Sequence, residues 1–295
     1  MDVQSKAEPL PHIMSNTGRS RSLGSALGTG FVAFMLFVYL IAVVYPLIWM
    51  LMSSLKDTME MYTGAWALPQ QWLFSNYRSA WELGVSAFFT NSVIITVLTV
   101  IVTVTVSISA AYALSIFRFK GRELFLFVVA TGLMFSPQVS LIPLYGLIQH
   151  LGIYNTYWSL VLPYAAYRMP IIILLIRAFF LGIPKDFAES AYLDGCSSWG
   201  VLHRIYLPIS RPVLYTGVLL TAYFAWNEFM FANIFIDDEA LKPITSGLFV
   251  FKDALRTDWG PLIAGLTISA LPLVILFIFI QKQFVRGLAE GGLKG

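Results

Sequence analysis

Four stretches of this 295-residue chain contain no Asp, Glu, Lys or Arg: Phe31 to Ser53, Leu83 to Phe117, Leu124 to Tyr167 and Trp259 to Gln281. One bilayer crossing takes about 20 predominantly apolar residues. Inside the hydrocarbon every backbone N–H and C=O must be satisfied by the protein, so runs of this length fold as membrane helices. The third run is long enough for one span, a turn and the start of another. Two more apolar segments carry a charge, Tyr157 to Ile176 with Arg168 and Val213 to Phe235 with Glu228. The expectation is an all-α membrane protein of six transmembrane helices. Its 58% hydrophobic and 12% charged residues lie outside the range of soluble domains. The first apolar run is longer than a signal-peptide core and no small-x-small cleavage site follows it, so it is expected to remain as an anchor.

Lys and Arg placement orients the spans, because cytoplasmic loops carry the excess of both. With the N-terminus inside, the inner segments hold thirteen: Lys6, Arg19, Arg21, Arg118, Lys120, Arg122, Arg177, Lys185, Arg204, Arg211, Lys282, Arg286 and Lys294. The outer segments hold five, Lys56, Arg78, Lys242, Lys252 and Arg256, mixed with carboxylates. Both termini are therefore expected in the cytoplasm. Residues 1–30 form a cytoplasmic segment, 31–281 the transmembrane domain and 282–295 a cytoplasmic tail. The lone cysteine, Cys196, excludes an intrachain disulfide.

The first outer loop, about Ser54 to Ala87, is rich in Trp and Pro and reads as a structured external lobe anchored at headgroup level. The second span, "TVLTVIVTVTVSISAAYA", has the small and β-branched residues of a helix packed inside a bundle. Pro137 and Pro143 in the third span, and Pro163 and Pro170 in the fourth, predict kinked or interrupted helices. The chain lacks a phosphate-binding G-x-x-x-x-G-K-[ST], an H-E-x-x-H zinc motif and a G-x-S-x-G elbow. His12, His150 and His203 lie on separate segments, so no metal site is expected. The chain is not expected to be an enzyme.

Against this background "ESAYLDGCSSWG", Glu189 to Gly200, stands out as polar, and the charge count puts it in the cytosol. Pro184 and Asp186 suit the first turn of a short helix. Phe187, Ala188, Ala191 and Tyr192 fall on one face at helical spacing, and Lys185 and Glu189 are four apart as a local pair. Gly195 is a stop, and Ser197 or Ser198 caps a second helix running to Leu207 before Pro208 and Pro212. Small residues on an exposed helix with no core of their own suggest a knob for another protein.

"ESAYLDGCSSWGVLHRIYLPISRPVL" resembles the EAA loop of ABC-importer permeases, with Glu189, Ala191, Asp194, Gly195, Ile205, Leu207 and Pro208 in register. Ser190 and Cys196 stand where alanines are usual, and both are small. "NSVIITVLTVIVTVTVSISAAYALSIFRFKGR", "LIPLYGLIQHLGIYNTYWSLVLPY", "WNEFMFANIF" and "QKQFVRGLAEGGLKG" extend the similarity to the shorter permease subunit of the maltose-type carbohydrate branch. The resemblance implies a type I importer permease of the prokaryotic cytoplasmic (inner) membrane. Its EAA loop, residues 184–212, would carry a coupling helix with Glu189, Ser190, Ala191, Asp194 and Gly195 seated in a cleft of a separate ATPase. ATP and Mg would sit on that partner, with no cofactor on this chain. The implied partners are a second homologous permease, an ATPase dimer, an extracellular solute-binding protein, membrane lipid and a carbohydrate substrate, and no nucleic acid.

Within the spans, ionisable groups are functional candidates by default. Glu228 is expected to pair with Arg168, while Trp226, Asn227, Glu228 and Gln138 are candidates for the translocation path; Ser140 either lines the cavity or serves the kinked backbone. The loop from Asp237 to Gly260, with a Ser246-Gly247 turn, either reaches toward the binding protein or is solvated. A self-contained secondary transporter or channel is the alternative, and it predicts chains of intramembrane charge.

Overall fold

The computed structural model describes residues 23–251 and 258–292, and every regular element among them is helical. In order these are α1 (Leu23–Ser53), α2 (Thr58–Gly64), α3 (Ser75–Ala80), α4 (Ser86–Ile116), α5 (Arg122–Gly132), α6 (Leu141–His150) and α7 (Trp158–Leu181). There follow α8 (Asp186–Leu193), α9 (Ser198–Val201), α10 (Leu207–Ile209), α11 (Arg211–Asn227), α12 (Met230–Phe235), α13 (Ile244–Gly247) and α14 (Trp259–Gly292). Residues up to Trp49 form one compact unit and those from Met50 onward another. In the first, α1 begins before the apolar run does, and from Gly28 to Trp49 none of its side chains is buried.

Four helical segments, Gly28–Ser53, Ser75–Ile116, Trp158–Leu181 and Trp259–Phe279, are long and apolar enough to cross a membrane. The other two predicted spans are each divided. The third splits into α5 and α6 around Pro137, where Leu133 to Ser140 leave the helix. The fifth stops at Asn227 and resumes as α12, with Glu228 extended at φ −70°, ψ 129°. The tail predicted from Lys282 continues α14 as helix to Gly292.

In the second unit α4 is the central helix, packed chiefly on α7 and then on α11. Its buried stripe, Ser92, Thr96, Thr99, Thr103, Ser107 and Ala111, repeats every three or four residues. This is the close-packing pattern that its Thr- and Ser-rich sequence predicts. Thr99 Oγ1 returns its proton to the Ile95 carbonyl at 2.8 Å, so the hydroxyl is satisfied within its own helix. The segment after α1, expected as an outer lobe, is structured. Lys56 is 1% exposed, and its ammonium donates to the Gly64 and Ala65 carbonyls at 3.0 Å. Asn76 Nδ2 donates to the Ser54 and Lys56 carbonyls at 2.9 Å. Thr58 Oγ1 reaches Asp258 Oδ1 at 2.7 Å and Trp259 Nε1 reaches Tyr62 at 2.8 Å, tying α2 to the start of α14.

The connection after α12 differs from the exposed loop predicted there. Asn155 Oδ1 accepts from the backbone of Asp237 and Asp238 at 3.0 Å, and Tyr154 donates to Asp237 at 2.8 Å. That hydrogen bond to a carboxylate raises the Tyr154 phenol above its usual range and keeps the donor protonated. The chain then turns inward: Ser246 and Gly247 lie buried on α13, where Gly247 faces the Phe88 ring. Lys252, Asp253 and Arg256 lie outside the described residues.

Candidate coupling surface and membrane core

The polar stretch folds as two short helices, as its caps predict. Helix α8 ends where Gly195 takes φ +79°, a conformation that costs a residue with a Cβ about 1 kcal/mol or more. Ser197 Oγ then accepts from the Gly200 N–H at 3.2 Å and caps α9. The second helix runs past the predicted stop at Leu207, through a π turn over Leu202–Tyr206, to Ile209. Pro208 lies inside it; the break falls at Ser210, and Pro212 sits in the first turn of α11.

The expected face of α8 is divided. Ala188 and Ala191 are buried within this subunit, against a cluster of Ala111, Ile176, Phe180, Ile183, Val201 and Tyr206. Phe187 is 54% exposed and Leu193 89%. The small residues therefore seat the helix on its own chain, and the outward knob consists of Phe187, Glu189, Ser190, Leu193, Asp194 and Gly195, with Trp199 beside it. Lys185 and Glu189 do not pair. Only the backbone N–H of Glu189 meets the Lys185 carbonyl, because both side chains are in solvent where an ion pair gains little.

Beneath the knob lies an aromatic cluster that sequence reasoning missed. Tyr112, near the C-terminal end of α4, packs edge-on against Phe180 and Tyr206, with centroids 6.3 and 5.4 Å apart. Its hydroxyl donates to the Ser198 carbonyl at 3.0 Å. Helices α8 and α9 are thus fastened to both α4 and α7. Tyr112 and Ser198 are separated by 86 positions, and no local pattern marks them as partners.

In the membrane core the expected Arg168–Glu228 pair is not formed. Glu228 is instead a helix cap: its carboxylate accepts from the N–H groups of Phe231 at 2.9 Å and Ala232 at 3.3 Å, and from the Tyr164 hydroxyl at 2.6 Å. A break in α11 leaves N–H groups without helical acceptors, and a carboxylate at that position satisfies them with favourable charge. Arg168 lies over the Phe224 ring, 4.1 Å from its centroid, and its Nε has no acceptor.

The translocation-path candidates separate in the same way. Trp226 is 5% exposed, donates through Nε1 to the Ser269 carbonyl at 3.0 Å and packs on Phe89. It lines an apolar groove of about 310 Å³ between α4, α11 and α14 rather than a polar path. Asn227 is exposed, with Nδ2 on the Tyr223 carbonyl at 2.8 Å. Gln138 is exposed in the α5–α6 break, where Ser136 bonds to it, and Ser140 donates to the Pro137 carbonyl and meets the Tyr167 hydroxyl. Among the described residues no group of His, Cys, Asp or Glu comes together to hold a metal.

Helices long and apolar enough to cross a membrane, with a short, capped two-helix projection, are the architecture of an all-α membrane protein. Residues 103–290 match the model of the binding-protein-dependent transport system inner membrane component family, and the chain belongs to that family of ABC transporter permeases. It is 57% identical over 260 residues to the probable ABC transporter permease protein YurM of Bacillus subtilis, covering 88% of this chain and 87% of that one. It is 35% identical over 256 residues to the trehalose/maltose transport system permease protein MalG of Thermococcus litoralis, covering 85% and 91%. The fold matches a chain in the crystal structure of a bacterial ABC transporter that imports the acidic polysaccharide alginate. The TM-score is 0.81 at 24% identity, covering 89% of this chain and 98% of that one.

Proposed function

We propose that this permease crosses the inner membrane six times with both termini cytoplasmic, and that it imports a carbohydrate with energy received through α8 and α9. The thirteen-to-five distribution of Lys and Arg supports the orientation. Two crossings are made by the divided elements α5–α6 and α11–α12; broken helices are tolerated where neighbouring protein satisfies the backbone, as Glu228 does. Relatives named for trehalose and maltose, and for arabinooligosaccharides, support a carbohydrate cargo.

The observation that carries the coupling role is the exposed knob on a fixed base. Phe187 and Leu193 offer apolar anchors, Glu189 and Asp194 carboxylates, and Ala188 with Ala191 fasten the helix to the permease. A cleft in a separate ATPase would take the knob, with Glu189 meeting a basic group, and ATP with Mg would be bound there. Closure of an ATPase dimer would then move α4 and α7 together through the Tyr112 cluster. A second permease and an extracellular binding protein complete the assembly. A secondary transporter would draw on a chain of intramembrane charges, and the capping role of Glu228 removes the carboxylate such a chain needs.

The test is Glu189→Ala and Gly195→Asp in the complete importer in vesicles. Both variants are expected to reach the membrane with sugar uptake abolished, and normal ATP-driven uptake by both would overturn the coupling assignment. Orientation is tested separately by cysteine labelling. Glu239→Cys, at an exposed position, should react from outside intact cells, whereas Cys196 should need permeabilisation. Ser246 is 1% exposed and unsuited to this purpose.

A further inference from the structure

We propose that Arg168 on α7, with Tyr223, Phe224 and Asn227 on α11, forms a cargo-contact site whose guanidinium selects sugars bearing an acidic group. The proposal rests on the reading of this chain as a carbohydrate permease. Arg168 lies ten residues beyond Trp158 in α7, about 15 Å along the helix and so far from either end. A cation at that depth is expensive unless it meets water, a counter-charge or a polar ligand. None of the described carboxylates lies within 4.0 Å of it, and Glu228 is held by Tyr164 and the start of α12.

The surroundings suit a sugar. At 100° per residue, Leu220, Tyr223, Phe224 and Asn227 occupy an arc of about 100° on α11. The rest of the helix is engaged: Gly217 lies against Ile172 of α7, while Ala222 and Trp226 face the groove shared with α4 and α14. On the remaining arc Tyr223 is 59% exposed and Asn227 is exposed. Phe224 holds the guanidinium from beneath; Arg168 is partly buried, with Nε enclosed and without an acceptor, beside this face. Aromatic rings offer stacking to the C–H faces of a pyranose and an amide meets its hydroxyls. A guanidinium fork adds the paired donors that match a carboxylate. Charge complementarity therefore points to an acidic sugar.

The test uses the complete importer in proteoliposomes with Tyr223→Cys, and modification of that cysteine by a small water-soluble thiosulfonate is read by peptide mass, so Cys196 stays in place. The expected result is reaction from the aqueous phase, slowed about tenfold or more by sodium glucuronate than by glucose, as befits one charge-assisted contact. Adding Arg168→Gln should erase the difference between the two sugars, and Arg168→Lys should keep part of it. Equal protection by both sugars, or an inert cysteine with Arg168 intact, overturns the proposal; inertness means that the partner permease or lipid covers the face. Uptake by the importer with native Tyr223 and Arg168 separates the two readings. Failure to transport any sugar overturns the carbohydrate assignment, whereas uptake without Arg168-dependent protection overturns this site alone.

Discussion

Replacing Glu228 tests whether a carboxylate inside an apolar segment serves as a counter-ion or as part of the backbone. The structure gives it no cationic partner and three donors: the Tyr164 hydroxyl and the N–H groups of Phe231 and Ala232. Losing a cap costs about 1 kcal/mol. Stranding a buried hydroxyl costs about 1–3 kcal/mol, and Tyr164 is 1% exposed. Glu228→Ala should therefore destabilise by about 2–4 kcal/mol. Glu228→Gln keeps an acceptor for α12 and should cost less than half as much. Arg168→Met removes a cation–π contact of about 0.5–2 kcal/mol and also relieves an uncompensated charge, so its net effect should be small. The assay is reversible unfolding in mixed micelles of dodecyl maltoside and dodecyl sulfate, run as two double-mutant cycles. Arg168→Met with Glu228→Gln should be additive to within about 0.5 kcal/mol, since the two groups share no contact. Tyr164→Phe with Glu228→Ala should fall short of additivity by about 1–2 kcal/mol, because each removes the same hydrogen bond. Recovery of more than about 1 kcal/mol in the first cycle would restore the ion pair and refute the capping argument.

Three further outcomes follow from named contacts. Tyr112→Phe keeps the ring in its cluster and removes the bond to the Ser198 carbonyl, at a cost of about 1 kcal/mol; sugar moved per ATP hydrolysed should drop severalfold, and an unchanged ratio would show that this bond does not transmit the ATPase stroke. Gly247→Ala would put a Cβ 2.4 Å from the Phe88 ring and should cost about 1–3 kcal/mol, read as lost monodisperse protein, with Phe88→Leu restoring it. Lys56→Met removes the buried ammonium that clamps the turn after α2; it should speed external chymotrypsin cleavage around Trp66 and Leu68 without affecting cleavage elsewhere, and an unchanged rate would show that the lobe needs no clamp.

What the sequence made legible is what bilayer physics forces into a local pattern. The uncharged runs had to be mainly helical, and the Thr and Ser repeat of α4 had to be an internal face, because backbone satisfaction and close approach leave few alternatives. Ser197 and Gly195 were legible for a similar reason: a cap and a left-handed turn are properties of one or two adjacent residues. Glu228 was found as a site and given the wrong partner. Depth along ideal continuous helices placed it near Arg168, but the chain breaks at Glu228 itself, and the freed N–H groups of Phe231 and Ala232 are closer claimants than any cation on another helix. The error lies in treating an apolar segment as an unbroken rod: "WNEFMF" has neither Pro nor Gly, so nothing local announces the interruption. Where a carboxylate sits in such a segment, the backbone competes for it first and at no cost in side-chain reach. Arg168, left over from that competition, rests on the Phe224 ring, and the acidic cargo proposed for it would supply the counter-charge that none of the described carboxylates provides.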